Sequence, residues 1–364
     1  MNTKPKKKIY WIFLIIWSVV LCLVLAGALV WFYGFLKNYQ KVYDETRPKL
    51  FMDRTLELFT GKDVDGILQV SKPVELGPLE GEEQLKAYLR ERLDGKVISY
   101  GTKAGEHIEE RPVYVVTADE EPVAVVRLKK RAEGAEYGLP LWELNNMELL
   151  VTPGKERVLS APSTVTVLVN GRELTEDMIV EEGIADERAA HFNGYAEIPT
   201  YTCYSLGSFL CEPVVEATNF AGEAVEAEYD SGKYAYKVDF GGDSELQEGV
   251  EEFAVQAVMD YANYVSNDAP YGALDKYFPA GSELLTGIKK NQREWFDYHL
   301  TPEIKNQKMT SFTAFTEDAF SARVYLEQYM YVPFSKKTEM LVTDLDVYFV
   351  NQNGFWKIAG IAFE

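Results

Sequence analysis

Histidine and cysteine are scarce in this chain, three of each among 364 residues. That scarcity removes most metal and thiol chemistry. Cys22 falls inside an apolar run, which leaves Cys203 and Cys211 as the one pair outside it. Their spacing fits no four-ligand zinc pattern, and no histidine stands near enough to complete one. In an oxidising compartment they could close a hairpin disulfide; two reduced, buried thiols are the alternative. His107 sits among Glu106, Glu109 and Glu110 and is expected to be solvated. His191 follows an acidic, turn-rich stretch with no partner in view. His299 comes shortly after Trp295 and Phe296, where a helix end would favour its cation.

Catalytic signatures are missing as well. There is no G-x-S-x-G elbow, no H-E-x-x-H, no P-loop and no S-x-x-K. The expectation is therefore a chain without catalytic residues, bound metal or cofactor. Asp63-Val64-Asp65-Gly66 opens like a calcium loop, but the later ligands are absent, so acids at a helix start are expected instead. Asp344 and Asp346 share a strand face, either as a carboxylate pair able to raise one pKa or as exposed charge near a hairpin.

Positive charge is also in deficit. Lys and Arg number 37 against 57 Asp and Glu, a net charge of −20. The first 33 residues hold four lysines and no acid, so the remainder carries −24. A domain that acidic is not expected to bind nucleic acid, whose affinity rests on Lys and Arg displacing counterions. It should be repelled by anionic lipid or wall polymers too, unless local basic patches or cations intervene.

Against these absences stands one long apolar run, Ile9 to Leu36, preceded by Lys4, Lys6, Lys7 and Lys8. A helix of about 25 residues is roughly 38 Å long and crosses a bilayer core of roughly 30 Å with some tilt. Ser18, Gly27 and Gly34 interrupt it without adding charge, and Tyr10, Trp11, Trp31 and Tyr33 lie toward its ends as interfacial aromatics do. The lysines predict a cytoplasmic tail over residues 1–8, a single span over 9–36 in the cell membrane, and an extracellular remainder. So short a tail leaves no room for a cytosolic signalling domain. A cleaved signal peptide is the rival, with Ala26-Gly27-Ala28 as its processing site, although the apolar run is long for one and continues through Tyr33.

Roughly 330 residues follow, enough for two or three cores, and 23 Tyr and 19 Phe mark them as folded. Residues 38–155 open with a helical pattern at Met52, Leu56 and Phe59 stopping near Gly61, and a second helix over Gly81–Leu93. Strands are expected at Val97–Tyr100, Val113–Ala118, Val123–Leu128 and Leu141–Val151. Residues 156–243 read as a small β-sandwich: Thr164–Val169 alternates into an Asn170-Gly171 hairpin, and strands follow at Pro213–Thr218, Ala224–Tyr229 and Lys233–Phe240. Residues 244–364 return to helices first. A Ser244/Gln247 capping box leads into an apolar stripe from Val250 to Val265, and Ala273–Phe278 gives a short helical piece. Another helix carries Leu284, Leu285, Ile288, Trp295 and Phe296. Four strands follow, in which Ala322, Val324 and Leu326 oppose Arg323, Tyr325, Glu327, Tyr329 and Tyr331, and Asn353-Gly354 turns the last hairpin into Phe355–Phe363.

Helices followed by an antiparallel sheet closing on them form an α+β cone. The order, ending in Asn353-Gly354-Phe355-Trp356-Lys357-Ile358, resembles the superfamily of nuclear transport factor two and the SnoaL cyclases. The fold class expected is thus α+β: a transmembrane helix, then two α+β cone modules flanking a β-sandwich. That whole order is similar to TcaA-type envelope proteins of Gram-positive bacteria, with one departure, since those often begin with a cytosolic zinc ribbon that eight residues cannot supply. Enzymes with the cone fold place an acid–base pair between helices and sheet. Here Tyr261, Tyr264, Trp295, Arg323, Tyr325, Glu327, Tyr329 and Trp356 are the candidates to line such a pocket, with a packed aromatic core as the bland alternative. The resemblance implies a non-catalytic membrane-anchored protein that binds an envelope protein or wall glycan as sensor or scaffold. A component of a conjugative or secretion channel, and a small-molecule enzyme in the terminal cone, are the two alternatives.

Overall fold

An apolar face must find cover, and among the described residues most of the first helix finds none. The computed structural model describes residues 6–291 and 298–362. In it α1 (Lys6–Glu45) is one unbroken helix of 40 residues, about 60 Å at 1.5 Å per residue. Its apolar stretch is exposed on all sides, with Leu23 68% and Val30 74% accessible. Among the described residues it is the one helix long and apolar enough to cross a membrane. The chain has a mixed α+β fold divided into two compact units, residues 1–76 with 80–152, which include α1, and residues 77–79 with 153–364.

In the first unit, α2 (Pro48–Thr60), α3 (Val64–Val70) and α4 (Glu82–Leu93) precede a four-stranded antiparallel meander, β1 (Ile98–Thr102), β2 (Val113–Ala118), β3 (Glu121–Lys130) and β4 (Trp142–Leu149). Proline at its start suits α2, because the first helical N–H has no partner to lose. Met52 and Phe59 of α2, Ile67 of α3, and Leu89 and Leu93 of α4 are buried with Val116, Val126 and Met147 of the sheet. Asp63 caps α3, its Oδ1 accepting from Gly66 N at 3.0 Å, while Asp65 pairs with Lys86 Nζ at 2.9 Å. The Asp63–Gly66 stretch is thus a helix start. Asp119 and Glu120 turn the β2–β3 hairpin with both φ angles positive, 47° and 71°, and Asp119 Oδ1 accepts from Val97 N at 2.8 Å.

The second unit begins with two small sheets. One pairs β6 (Thr166–Val169) with β7 (Arg172–Glu173) and β10 (Val215–Thr218), and β10 with β11 (Ala224–Val225). The other runs in the order β12 (Ala227–Asp230), β13 (Ala235–Val238), β5 (Glu156–Pro162), β9 (Tyr201–Ser208), β8 (Ile179–Ile184), with β13 and β5 parallel. Leu159, Val167, Val169, Leu206, Tyr236 and Val238 share a buried cluster with Leu79. The stretch expected as one strand over Ala224–Tyr229 is two, β11 and β12, each in a different sheet.

Then come α5 (Ser244–Val265), α6 (Glu283–Asn291) and a second antiparallel meander of β14 (Glu303–Thr316), β15 (Ala319–Val332), β16 (Lys337–Gln352) and β17 (Phe355–Ala362). The cap of α5 is Asp243 rather than Ser244: its Oδ1 accepts from Leu246 N at 2.9 Å, while Ser244 N donates to Glu223. Residues 271–278 are turns, not the short helix expected there. The expected helical positions Trp295 and Phe296 lie outside the described residues. Ala254, Val258 and Tyr264 of α5 pack on Val324, Leu326, Val347 and Phe349. A further cluster, Phe192, Tyr201, Phe240, Phe315 and Tyr348, ties these last strands to the 3-10 helix at Glu187–Phe192 and to β9 within the same unit.

Candidate functional site

The residues expected to line one pocket fall on two faces of the terminal sheet. β15 alternates strictly: Ala322, Val324, Leu326 and Gln328 are buried, and Arg323, Tyr325, Glu327 and Tyr329 stand half-buried on the opposite face. Tyr261 and Trp356 belong instead to the inner core. Trp295 lies outside the described residues. The inner layer is filled by aromatics, with Phe320 stacked on Phe349 at 4.7 Å and edge-on to Trp356 at 4.8 Å. A strand periodicity of two forbids Arg323, Tyr325, Glu327 and Tyr329 from facing α5 alongside Val324 and Leu326. The expected pocket is therefore corrected to a packed core on one side and an open polar surface on the other.

That outer surface is organised around Glu327. Its carboxylate accepts from Tyr325 Oη at 2.7 Å, Tyr329 Oη at 2.7 Å and Asn306 Nδ2 at 2.9 Å. The hydrogen bonds from Tyr329, Tyr325 and Asn306 hold its pKa below the ordinary value. The same bonds push the pKa values of both tyrosines up. Lys305 Nζ lies 5.0 Å over the Tyr329 ring and Lys308 Nζ 5.8 Å over Tyr325. One step along the strand, Arg323 grips Asp344 with Nε and Nη2 at 2.9 and 3.1 Å and approaches Asp346 at 3.8 Å. The β15–β16 register explains this, setting Arg323 opposite Asp346 and Tyr325 opposite Asp344. The two aspartates are thus joined by a shared cation, a partner that their own spacing did not disclose. Exposed Tyr331, Met340 and Val342 continue the surface toward the hairpin tip.

A carboxylate held ionised is a poor general acid near neutrality, and phenols with raised pKa values are poor bases. What the array offers is ring faces, fixed donors and a fixed acceptor.

The three histidines have structural surroundings. His107 Nδ1 lies 3.1 Å from Val113 O. His191 stacks on Tyr348 at 4.6 Å, a partner invisible in sequence. His299 Nε2 is 3.0 Å from Asp268 Oδ2, and Ser266 Oγ donates to that same oxygen at 2.6 Å. Serine and imidazole meet on the carboxylate and not on each other, so the order needed to activate a hydroxyl is not formed. Nearby, fully buried Gln328 sets Nε2 3.5 Å from Asn263 Oδ1. Cys203 stands in mid-β9 as a thiol whose pKa is raised, first by burial and then by Glu181. Cys211 is half-buried just past the end of that strand. Among the described residues no group of three His, Cys, Asp or Glu is placed to hold a metal.

No protein-family model matches this chain, and no curated protein does. Among solved structures it is similar to an "Ntf2 like protein involved in plasmid conjugation", at 10% identity over 77% of this chain and 82% of that one, with a TM-score of 0.23. An overlap that loose carries no argument about fold or role.

Proposed function

We propose that this is a non-catalytic, single-pass membrane protein whose extracellular part recognises a glycan of the cell envelope through the outer face of β14–β16. The observation that carries the reading is the Tyr325–Glu327–Tyr329 array, two phenol rings ordered on one ionised acceptor, half-buried and each flanked by a lysine, on the sheet face turned away from the core. Sugars are bound by such combinations: ring faces cover their C–H surfaces while fixed polar groups meet their hydroxyls.

Three further features support it. The positive tail before α1 favours a cytoplasmic N-terminus. The apolar run is long for a leader and continues past Ala26-Gly27-Ala28 through Tyr33, which favours a retained anchor. The excess of acid argues against nucleic acid as partner. We read the two helix-and-sheet assemblies as α+β cones flanking the sandwich, the order of TcaA-type envelope proteins, with a sensor or scaffold role.

The test is calorimetric titration of the full chain in detergent with soluble fragments of wall glycan. Binding should weaken at least tenfold in Tyr325→Ala/Tyr329→Ala and in Glu327→Gln, with the melting temperature unchanged. Wild-type binding that both variants retained would dismiss the outer face as the site.

A further inference from the structure

The first unit grips α1 just where it leaves the apolar run. Tyr137, at φ 60° in the 3-10 turn Glu136–Gly138, packs edge-on to Phe35 at 5.5 Å and against Tyr39 at 5.5 Å. Its Oη accepts from Asn38 Nδ2 at 2.7 Å. These contacts lie within a turn of Leu36, so the β3–β4 connection is held at the depth where headgroups begin.

A cleft of about 600 Å³ opens there, with Asn38, Lys41, Thr46 and Arg54 among its walls, and a smaller cavity of about 180 Å³ shares several of them and adds Arg47, Arg131 and Trp142. Four cations converge in a chain of net charge −20, and their carboxylate contacts are loose. Lys41 reaches Glu45 at 4.0 Å, Arg47 reaches Asp44 at 3.9 Å and Arg131 reaches Glu143 at 3.7 Å. Arg54 has no ion pair among the described residues. Glu45 and Glu136 are the acids in the walls. Trp142 is only 8% exposed, and its buried indole N–H has no acceptor. A buried donor without a partner costs free energy and marks a place where an acceptor is wanted. α2 also begins here, with no side-chain cap and no acid in its first turn, so its N–H groups add positive potential.

We infer that this cleft binds the phosphate of an anionic phospholipid headgroup from the leaflet that α1 exits. The axial distance decides the source. Lys41 lies five residues past Leu36, about 7.5 Å along the helix, within reach of a headgroup layer roughly 5–7 Å deep. Arg54 and Arg131 then meet the phosphate oxygens, and a small turn of the Trp142 ring, which lines the smaller cavity with its N–H sealed beneath, brings that donor to the innermost oxygen. The inference rests on α1 spanning the membrane.

The test reconstitutes the full chain into nanodiscs of phosphatidylcholine with a minority of phosphatidylglycerol and reads the retained lipids by native mass spectrometry. Phosphatidylglycerol should be enriched several-fold over the bulk on the wild type. It should fall to the bulk level in Arg54→Gln/Arg131→Gln, and fall severalfold in Trp142→Phe, which keeps the ring and removes only the donor. Absence of enrichment on the wild type, or its persistence in both variants, overturns the inference. In discs of phosphatidylcholine alone, quenching of tryptophan by inorganic phosphate that the Arg variant abolishes would reassign the cleft to a soluble anion and overturn the lipid assignment. A chain that stayed out of the discs would overturn the anchor itself.

Discussion

Arg188 is held between two carboxylates and two aromatic rings. Its Nη2 bonds Asp186 Oδ2 at 2.8 Å and Asp239 Oδ1 at 2.5 Å, and its guanidinium lies 4.9 Å over Phe315 and 5.5 Å over Phe240. Burial alone would raise both aspartates, but hydrogen bonds and charge from Arg188 outweigh it and leave both below the ordinary 3.8. Groups with depressed pKa values stabilise the fold above the unfolded value, and the gain disappears as pH falls through the folded value. The melting temperature of the second unit should therefore be flat from neutrality to about pH 5 and drop below about pH 4. Arg188→Gln should cost about 2 kcal/mol at neutral pH, less than a fully buried pair because Asp239 is half exposed. The variant should recover part of that loss on acidification, a crossing visible by circular dichroism at two pH values. Little of this was legible, since Arg188 and Asp239 are 51 residues apart. Tyr325, Glu327 and Tyr329 were legible as a set because two-residue spacing on a strand puts them on one face. Which face that was depended on the buried identity of Val324 and Leu326.

At the scale of elements, local chemistry is legible wherever one residue type is required. Asn170-Gly171 and Asn353-Gly354 turn hairpins with positive φ at both positions, 52° and 71°, 55° and 83°. The division of Ala224–Tyr229 between β11 and β12 is not legible in sequence, because alternation says nothing about which sheet a strand joins. The cap falls on Asp243, one residue before the one the capping box indicates, as Ser244 and Asp243 both suit the position. Gly360 in β17 carries no turn signal and looks dispensable, yet a Cβ there would collide with the His191 carbonyl. Gly360→Ala must push the 3-10 helix off the sheet. It should destabilise the second unit by roughly 2 kcal/mol through overpacking, measured by urea denaturation. A wild-type midpoint would show that His191 does not pack so closely.

For the whole molecule, composition marked a change of texture near Asp243, and an element boundary lies there. The cluster of Phe192, Tyr201, Phe240, Phe315 and Tyr348 nonetheless continues across it within one unit. Long-range aromatic packing of that kind leaves no periodic trace in sequence. The apolar run, by contrast, was legible at once, because 28 consecutive positions without a charge have few uses in water. The proposed topology puts everything after this helix outside the cell. Protease treatment of intact cells carrying a C-terminal epitope tests it directly. The epitope should be lost before the membrane is permeabilised, while a tag on the N-terminal tail survives. Protection of the C-terminal epitope until permeabilisation, with loss of the N-terminal tag, would contradict it.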